Sequence, residues 1–347
     1  MHVVIAAITG ATGHVGVTLS RLLLSRGHRV RAIVRKDSEG LKGLDIERVG
    51  GDLQNPESLS RAFHGADVVF HAAARISITR TDMAQVAETN IGGTRNVIAA
   101  CRASGVRRLV HFSSIEALRP QPPDSPVDEE RPFVDAHPAS PYAISKAQAE
   151  GEVRRAIAAG MDAVILNPTA IVGPWDYKPS LLGSAIMSIA DGRLPMLVDG
   201  GFDWVDVRDV AEAALAAAER APAGSRYLVG GRWASMAELA QLVCTVTGAR
   251  LPRLTCPFWI AQAWAPVSSA LSRVVGKTPL FTGYSLGVLR AYRTVSHDRA
   301  ARELGYRPRD LEETIKDACA WFEVNGYLRP NRGKAVRNRA ASGGGRG

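Results

Sequence analysis

The chain is short of several things, and each shortage excludes a class of protein. Four cysteines in 347 residues, Cys101, Cys244, Cys256 and Cys319, form no C-x-x-C pair. That argues against a disulfide framework and fits thiols kept reduced in a cytoplasmic protein. No apolar run is long enough to span a bilayer. The opening MHVVIAAITG has no basic leader and ends in glycine, so it reads as a strand rather than an export signal. No cluster of His, Cys, Asp and Glu has metal-ligand spacing, so no metal is expected. No internal repeat is present. Carboxylates are missing from one end: residues 331–347 hold five Lys or Arg and no Asp or Glu. Without them the net charge of +9 falls to about +4, so the body is only mildly basic and no nucleic-acid partner is expected. The Gly- and Arg-rich stretch cannot bury enough apolar surface to fold, so 329–347 reads as a disordered basic tail.

What is present is an alternation. Short apolar runs at 3–8, 29–34, 67–72, 107–112 and 163–166 read as strands. Helical patterns at 14–26, 56–63, 82–103 and 141–159 separate them. Uniformly apolar strands alternating with helices predict an α/β protein with a parallel sheet covered on both faces. After about residue 170 the pattern loosens into helical stretches at 180–191, 209–219, 236–247 and 311–324. The expected division is a dinucleotide-binding core over 1–170, with parts of 200–232 interleaved, and a smaller, mainly helical substrate-binding lobe over 171–328. The proline- and acid-rich loop 116–139 reads as long and structureless. Residues 257–275 carry two tryptophans and one charge, Arg273. They read as core packing or a substrate lid, with weak peripheral membrane contact as the alternative.

Directly after the first strand comes TGATGHVG, in which Gly10, Gly13 and Gly16 are spaced G-x-x-G-x-x-G ahead of a helix. Glycines permit the tight turn and the close backbone approach, and a helix N-terminus then offers free N–H groups to a pyrophosphate. Ala11, Thr12, His14 and Val15 complete this candidate cofactor loop of a Rossmann-type, doubly wound sheet. The second strand ends at Val34 and is followed by Arg35 and Lys36, where an NAD site would carry an acid. NADP(H) is therefore favoured, with NAD(H) the alternative. Asp52, beside Leu53, could accept from the adenine amino group or could simply make a turn before Asn55-Pro56.

In SPYAISKAQAE, Tyr142 and Lys146 lie four apart and so share one helix face. A phenol is a poor base near neutral pH, and a nearby cation favours phenolate. Tyr142 is thus the candidate general acid/base and Lys146 its tuning charge. Ser114, at the end of strand 107–112, could steady an oxyanion, with Ser113 the runner-up.

In their order, the motifs TGATGHVG, GDL, HAAA, NIGGTRNV, FSSIEAL, YAISK, NPTAIVGPWD and WVDVRDVAEA make residues 1–325 resemble the extended short-chain dehydrogenase/reductase family. SSIE and the apolar C-terminal half look closest to its 3β-hydroxysteroid dehydrogenase and dihydroflavonol reductase branch. Sugar-nucleotide epimerases and dehydratases form the neighbouring branch. The resemblance implies that Lys146 also holds the nicotinamide ribose, and that Ser114 is catalytic with Ser113 nearer the cofactor. It implies that Asn90 marks a helix supporting the site, and that Ala72, Ala73 and Ala74 lie beside the cofactor. Pro168, Thr169, Ala170 and Ile171 would wrap the nicotinamide. His71 would sit at a strand end without a catalytic role. A homodimer through 82–103 and 141–159 is also implied.

A sugar-nucleotide site needs cations for a second pyrophosphate, and 178–205 supplies only Lys178 and Arg193, with Arg208 just beyond. The lobe's apolar bias suits a ring system instead. Specificity is expected from 75–85, 116–139, Trp175 to Tyr177 and the lobe. The expected activity is hydride transfer between nicotinamide and a hydroxyl or ketone carbon of a steroid-, terpenoid- or flavonoid-like molecule. A sugar-nucleotide epimerase or dehydratase with tightly bound NAD is the alternative.

Overall fold

The computed structural model describes residues 3–35, 39–77, 82–122, 125–135, 139–264 and 283–328. Lys36 and the basic tail lie outside these residues, as does most of 257–275.

A seven-stranded sheet organises the chain. Its strands are β1 (Ile5–Thr9), β2 (Arg29–Val34), β3 (Glu47–Gly50), β4 (Val68–His71), β5 (Arg108–Phe112), β6 (Ala163–Pro168) and β10 (Arg226–Val229). They run in the order β10-β6-β5-β4-β1-β2-β3, and every pair is parallel. The chain winds outward from β1 to β3, then crosses back to β4. The strand order reverses there, so a crevice opens between the C-terminal ends of β1 and β4, where open α/β sheets bind ligands.

Helices cover both faces, as apolar strands require. On one face α1 (His14–Ser25) and α7 (Val207–Arg220) pack Leu19, Leu23, Val210 and Ala214 against Ile8, Phe70 and Val110. On the other, α2 (Pro56–Phe63), α4 (Gly93–Ala103) and α5 (Pro141–Ala158) pack Phe63, Val97 and Val153 against Val69, Leu109 and Ile165. The predicted helix over 82–103 is composite: α3 (Met83–Ala87), a π-helical turn over Glu88–Gly92, then α4.

The second lobe holds more strand than expected. β7 (Ala170–Val172), β9 (Gly201–Asp206) and β11 (Arg232–Ser235) form one small sheet, and β8 (Met196–Val198) pairs with β12 (Leu254–Cys256) in another. These strands are three to six residues long, too short for alternation to register in the sequence. Between them, α6 (Leu181–Ala190), α8 (Met236–Thr247) and the helix Leu311–Val324 bury Ile186, Ile189, Leu239, Val243, Ile315 and Phe322.

The described part of the loop 116–139 is not structureless. Leu118 bridges Phe133, and Val127 bridges Val295. Buried Arg131 donates to the carbonyls of Gln121, Ser125 and Pro126. The polar residues that suggest a free loop are the ones that pin it.

Candidate active site

The glycine loop is dictated by contact. Gly10 has φ +73°, and a Cβ there would lie 2.6 Å from the Ala73 nitrogen. A Cβ on Gly16 would lie 2.2 Å from the Gly10 carbonyl oxygen. Strand, loop and helix can close up only without side chains at these points. Gly13 is the N-cap of α1 and offers no side-chain cap, so the first-turn N–H groups face outward unpaired by it. This cradle fits a dinucleotide pyrophosphate. Ala11 is fully buried, and Val15 and Ala72 pack on the core, so these three shape the site from behind. Ala74 is exposed.

Two expected ligand contacts look elsewhere. The His14 ring pairs with the Pro174 carbonyl at 2.9 Å, and burial holds its pKa down. Its side chain therefore braces the loop from the protein side. Asp52 accepts from the Gln54 amide at 3.0 Å and makes the turn. Leu53 packs on the second core and presents its carbonyl to Asn96. Thr12 is reached by Lys178 at 3.4 Å. Arg35 is exposed and has no ion pair among the described residues.

The start of α5 is set by Ser140, whose hydroxyl accepts from the Ala143 amide at 3.0 Å, and by Pro141 in the first turn. Tyr142, Lys146 and Glu150 then follow at four-residue intervals on the face turned to the sheet. The Ser114 hydroxyl, just past the end of β5, lies near enough to the Tyr142 phenol to favour its phenolate. It also accepts from the Glu116 amide at 3.2 Å. Lys146 is buried and donates to the Phe112 carbonyl at 2.5 Å. Fully buried Glu150 accepts from Asn167 at 2.8 Å and from Arg226 at 3.1 Å. The Asn167 amide also reaches the Ser114 carbonyl at 3.0 Å. Helix α5 is thus locked to the ends of β5, β6 and β10.

The electrostatics correct one expectation. Burial lowers Lys146 to about 8, against the opposing pull of Glu150. Tyr142, however, is not lowered. Burial pushes its pKa above the ordinary phenol value, the Glu116 carboxylate pushes it further, and only Ser114 opposes. Desolvation of the phenolate dominates, and the Lys146 ammonium is turned to the Phe112 carbonyl. The phenol is held protonated. Glu116 itself is half-buried, and burial raises it to about 7.

Asn90 lies in the π-helical turn and joins three segments. It accepts from the Arg75 amide at 2.7 Å, and donates to the Arg75 carbonyl at 3.0 Å and to Ser145 at 2.8 Å. Ser145 in turn donates to the Tyr142 carbonyl at 2.7 Å. Asn90 therefore braces the turn of α5 that carries Tyr142 through Ser145. The Asn90 carbonyl takes the Thr94 hydroxyl proton at 2.6 Å. That leaves Thr94 to accept from His71 Nε2 at 3.0 Å, and His71 Nδ1 to accept from Thr9 at 2.7 Å. Burial, helped by Lys146, lowers His71 to about 3, so the ring stays neutral as this arrangement demands. One hydrogen-bonded chain thus runs from β1, just before the glycine loop, to the backbone of Tyr142.

Ser113 is buried and its hydroxyl has no partner among the described residues, a donor left for a ligand. Pro168 ends β6, and the Thr169 amide donates to the Val229 carbonyl at 3.2 Å. Ala170 and Ile171 lie in β7, their side chains packed on the lobe core and the main core respectively. These two therefore join the lobes by packing. Trp175 and Tyr177, expected at the substrate, close on α1: the Arg21 guanidinium lies 5.6 Å over Trp175 and donates to the Tyr177 hydroxyl at 3.1 Å.

Residues 6–230 match the NAD dependent epimerase/dehydratase family. The chain belongs to this family. It is 38% identical over 327 residues to sterol demethylase protein B of Methylococcus capsulatus, covering 92% of this chain and 99% of that one. It is 33% identical over 330 residues to a putative dihydroflavonol 4-reductase of Synechocystis, covering 93% and 95%. The crystal structure of gox2253 superposes with TM-score 0.83 at 34% identity, covering 94% and 99%. The fold and these relatives make the chain an NAD(P)-dependent enzyme of extended short-chain dehydrogenase/reductase type. Among the described residues no group could hold a metal ion, and no helix is long and apolar enough to cross a membrane.

Glu150, Glu116 and the His71–Thr94 link are the parts that sequence reasoning missed. Glu150 had a signal, since it repeats the Tyr142–Lys146 interval.

Proposed function

We propose that the enzyme transfers a hydride between a nicotinamide dinucleotide and the hydroxyl or ketone carbon of a hydrophobic cyclic substrate, steroid-, terpenoid- or flavonoid-like. Tyr142 is its general acid/base. The main support is the closeness of Ser114 to Tyr142 at the C-terminal sheet edge beside the glycine cradle, with Lys146 on the same helix face. The bound dinucleotide supplies the hydride chemistry; the chain supplies the proton chemistry and the positions. A phenol kept protonated is ready to give its proton to a carbonyl oxygen during reduction. Ser114 accepts from the Glu116 amide, so its own hydrogen is available to steady charge on that oxygen. Lys146 carries the positive charge that the remaining phenolate needs. Arg35, exposed at the end of β2, favours a 2′-phosphate and hence NADP(H).

The substrate class has two supports. Of the three cations that could meet a sugar-nucleotide pyrophosphate, Arg193 pairs with Asp191 at 2.6 Å, and Arg208 is held by Asp206 and Asp317. Lys178 points to Thr12 of the glycine loop, on the dinucleotide side. The relatives' names also refer to hydrophobic rings: a sterol, a dihydroflavonol, and a farnesyl dihydroquinoline oxide.

A substrate panel tests the reading. Purified protein should oxidise NADPH with apolar cyclic ketones and leave UDP- and dTDP-sugars unchanged. Conversion of a nucleotide sugar with no net change in NAD(P)H would overturn it.

A further inference from the structure

From residue 239 to residue 297 the sequence contains no Asp or Glu, while it carries six Lys or Arg. Within this span the described residues 250–264 expose an unusual surface. Residues 258–264 are helical. Phe258 and Ala261 turn inward, against Val198, Leu286 and Leu289. The outward side presents Trp259 at 71% exposure, Trp264 at 63% and Ile260 at 40%. Leu254 and Met196, register partners across β12 and β8, are exposed as well, at 61% and 39%. With Leu251 these make six of the eleven exposed large hydrophobic residues in the described chain, so the exposure is concentrated here. Of the two readings expected for 257–275, core packing or a substrate lid, core packing does not hold for these two tryptophans. Arg250 and Arg253 flank the apolar residues, both exposed and without an ion pair among the described residues.

We propose that this face seats the enzyme on the surface of an anionic phospholipid bilayer. Each part of the patch matches one layer of that surface. Tryptophan rings settle at the headgroup level, where the ring is buried and the indole N–H stays wet. Leucine, isoleucine and methionine enter the acyl boundary, and arginines meet anionic headgroups. A second copy of the chain is a poorer occupant, because symmetric pairing would set Arg250 and Arg253 against the same patch, whose residues 250–264 include no carboxylate. The proposal is independent of the catalytic chemistry, though a bilayer is also where a lipophilic ring substrate dissolves.

Flotation of the full-length protein with phosphatidylcholine vesicles, with and without phosphatidylglycerol, tests it. Binding is expected only with phosphatidylglycerol, weakening as salt rises. Trp259→Ala/Trp264→Ala should weaken binding roughly tenfold and Arg250→Gln/Arg253→Gln by a similar factor, with thermal stability unchanged because all four side chains are exposed. Brominated lipids should quench wild-type tryptophan fluorescence. Three results would sink the proposal: no binding of the wild type, binding unchanged in both variants, or lipid-independent self-association that the tryptophan variant abolishes. The last would assign the face to a protein contact. None of these readouts depends on turnover, so inactivity on every ketone would bear on the proposed chemistry alone.

Discussion

The surroundings of α5 and the C-terminal lobe differ in kind. Beneath Tyr142 and Lys146, charged and polar groups are buried and linked: Glu150 to Arg226 and Asn167, and His71 to Thr9 and Thr94. In the C-terminal lobe, Arg232–Glu238 and Arg290–Asp199 are surface ion pairs, half-exposed on each partner. Buried networks lose heavily when one member goes, because the others are left unpaired in low dielectric. Surface pairs contribute at most about 1 kcal/mol. The contrast teaches where precision is invested: the surroundings of Tyr142 and Lys146 are over-determined, whereas the lobe can vary its surface pairs at little energetic cost.

The comparison breaks hardest at the reacting hydroxyl. Tyr142→Phe should lower turnover by about 10²- to 10⁴-fold, the typical size of a general acid/base contribution. Dinucleotide affinity and melting temperature should hardly move, which a binding titration and calorimetry would show. An active variant would remove Tyr142 from the mechanism. Next in size is Glu150→Ala. It takes the buried carboxylate partner from the Arg226 guanidinium and one acceptor from the Asn167 amide, and should destabilise the fold by about 3–5 kcal/mol in denaturant titration. Glu238→Ala, its counterpart in the lobe, should cost less than about 1 kcal/mol. Equal losses would erase the distinction.

The same contrast explains what the sequence made legible. The alternating strands and helices, the glycine loop and the Tyr142–Lys146 interval are local patterns, and the structure has them. The edge strand β3 reads ERVG and is mostly exposed, so it lacks the apolar run that marks its neighbours. His71 looked inert because its partners, Thr9 and Thr94, lie 62 and 23 residues away and meet it only through strand register and helix docking. The Tyr142 shift was misjudged for a similar reason. Spacing shows that Lys146 is near, but not that its ammonium turns to Phe112, nor how much water burial removes. Long-range polar pairing and desolvation are properties of the assembled chain.

Glu116 sharpens the comparison, since it is the half-buried carboxylate beside Tyr142 with no hydrogen-bond donor to its side chain among the described residues. Its pKa is raised from 4.5 to about 7 by burial. For a group raised in the folded state, the protonated form is the favoured one. Its contribution is therefore fully present below the unfolded value and is lost as pH rises through the folded value. Glu116→Gln should thus match the wild type below about pH 4.5 and exceed it above about pH 7, by at most ~3 kcal/mol. Melting curves of both proteins at the two pH extremes check this. A constant difference across pH would show that the carboxylate is already solvated.

A modest effect is expected at the rim of the glycine cradle, where a lone cation is exposed rather than networked. Arg35 follows Val34 at the end of β2, with its guanidinium unpaired among the described residues. A charge-assisted hydrogen bond to a 2′-phosphate at an exposed site is worth about 1.5–3 kcal/mol at best. Solvent screening brings the expected loss nearer to 1–2 kcal/mol, roughly five- to thirtyfold in affinity. Arg35→Ser should therefore weaken NADPH binding by about that factor and leave NADH nearly unchanged, without altering the fold. The ratio of the two dissociation constants isolates the effect from any general loosening of the glycine loop, which would weaken both dinucleotides together. Should the wild type already prefer NADH, the exposed guanidinium has no phosphate to meet, and the family's NAD chemistry would apply here without the 2′-phosphate preference.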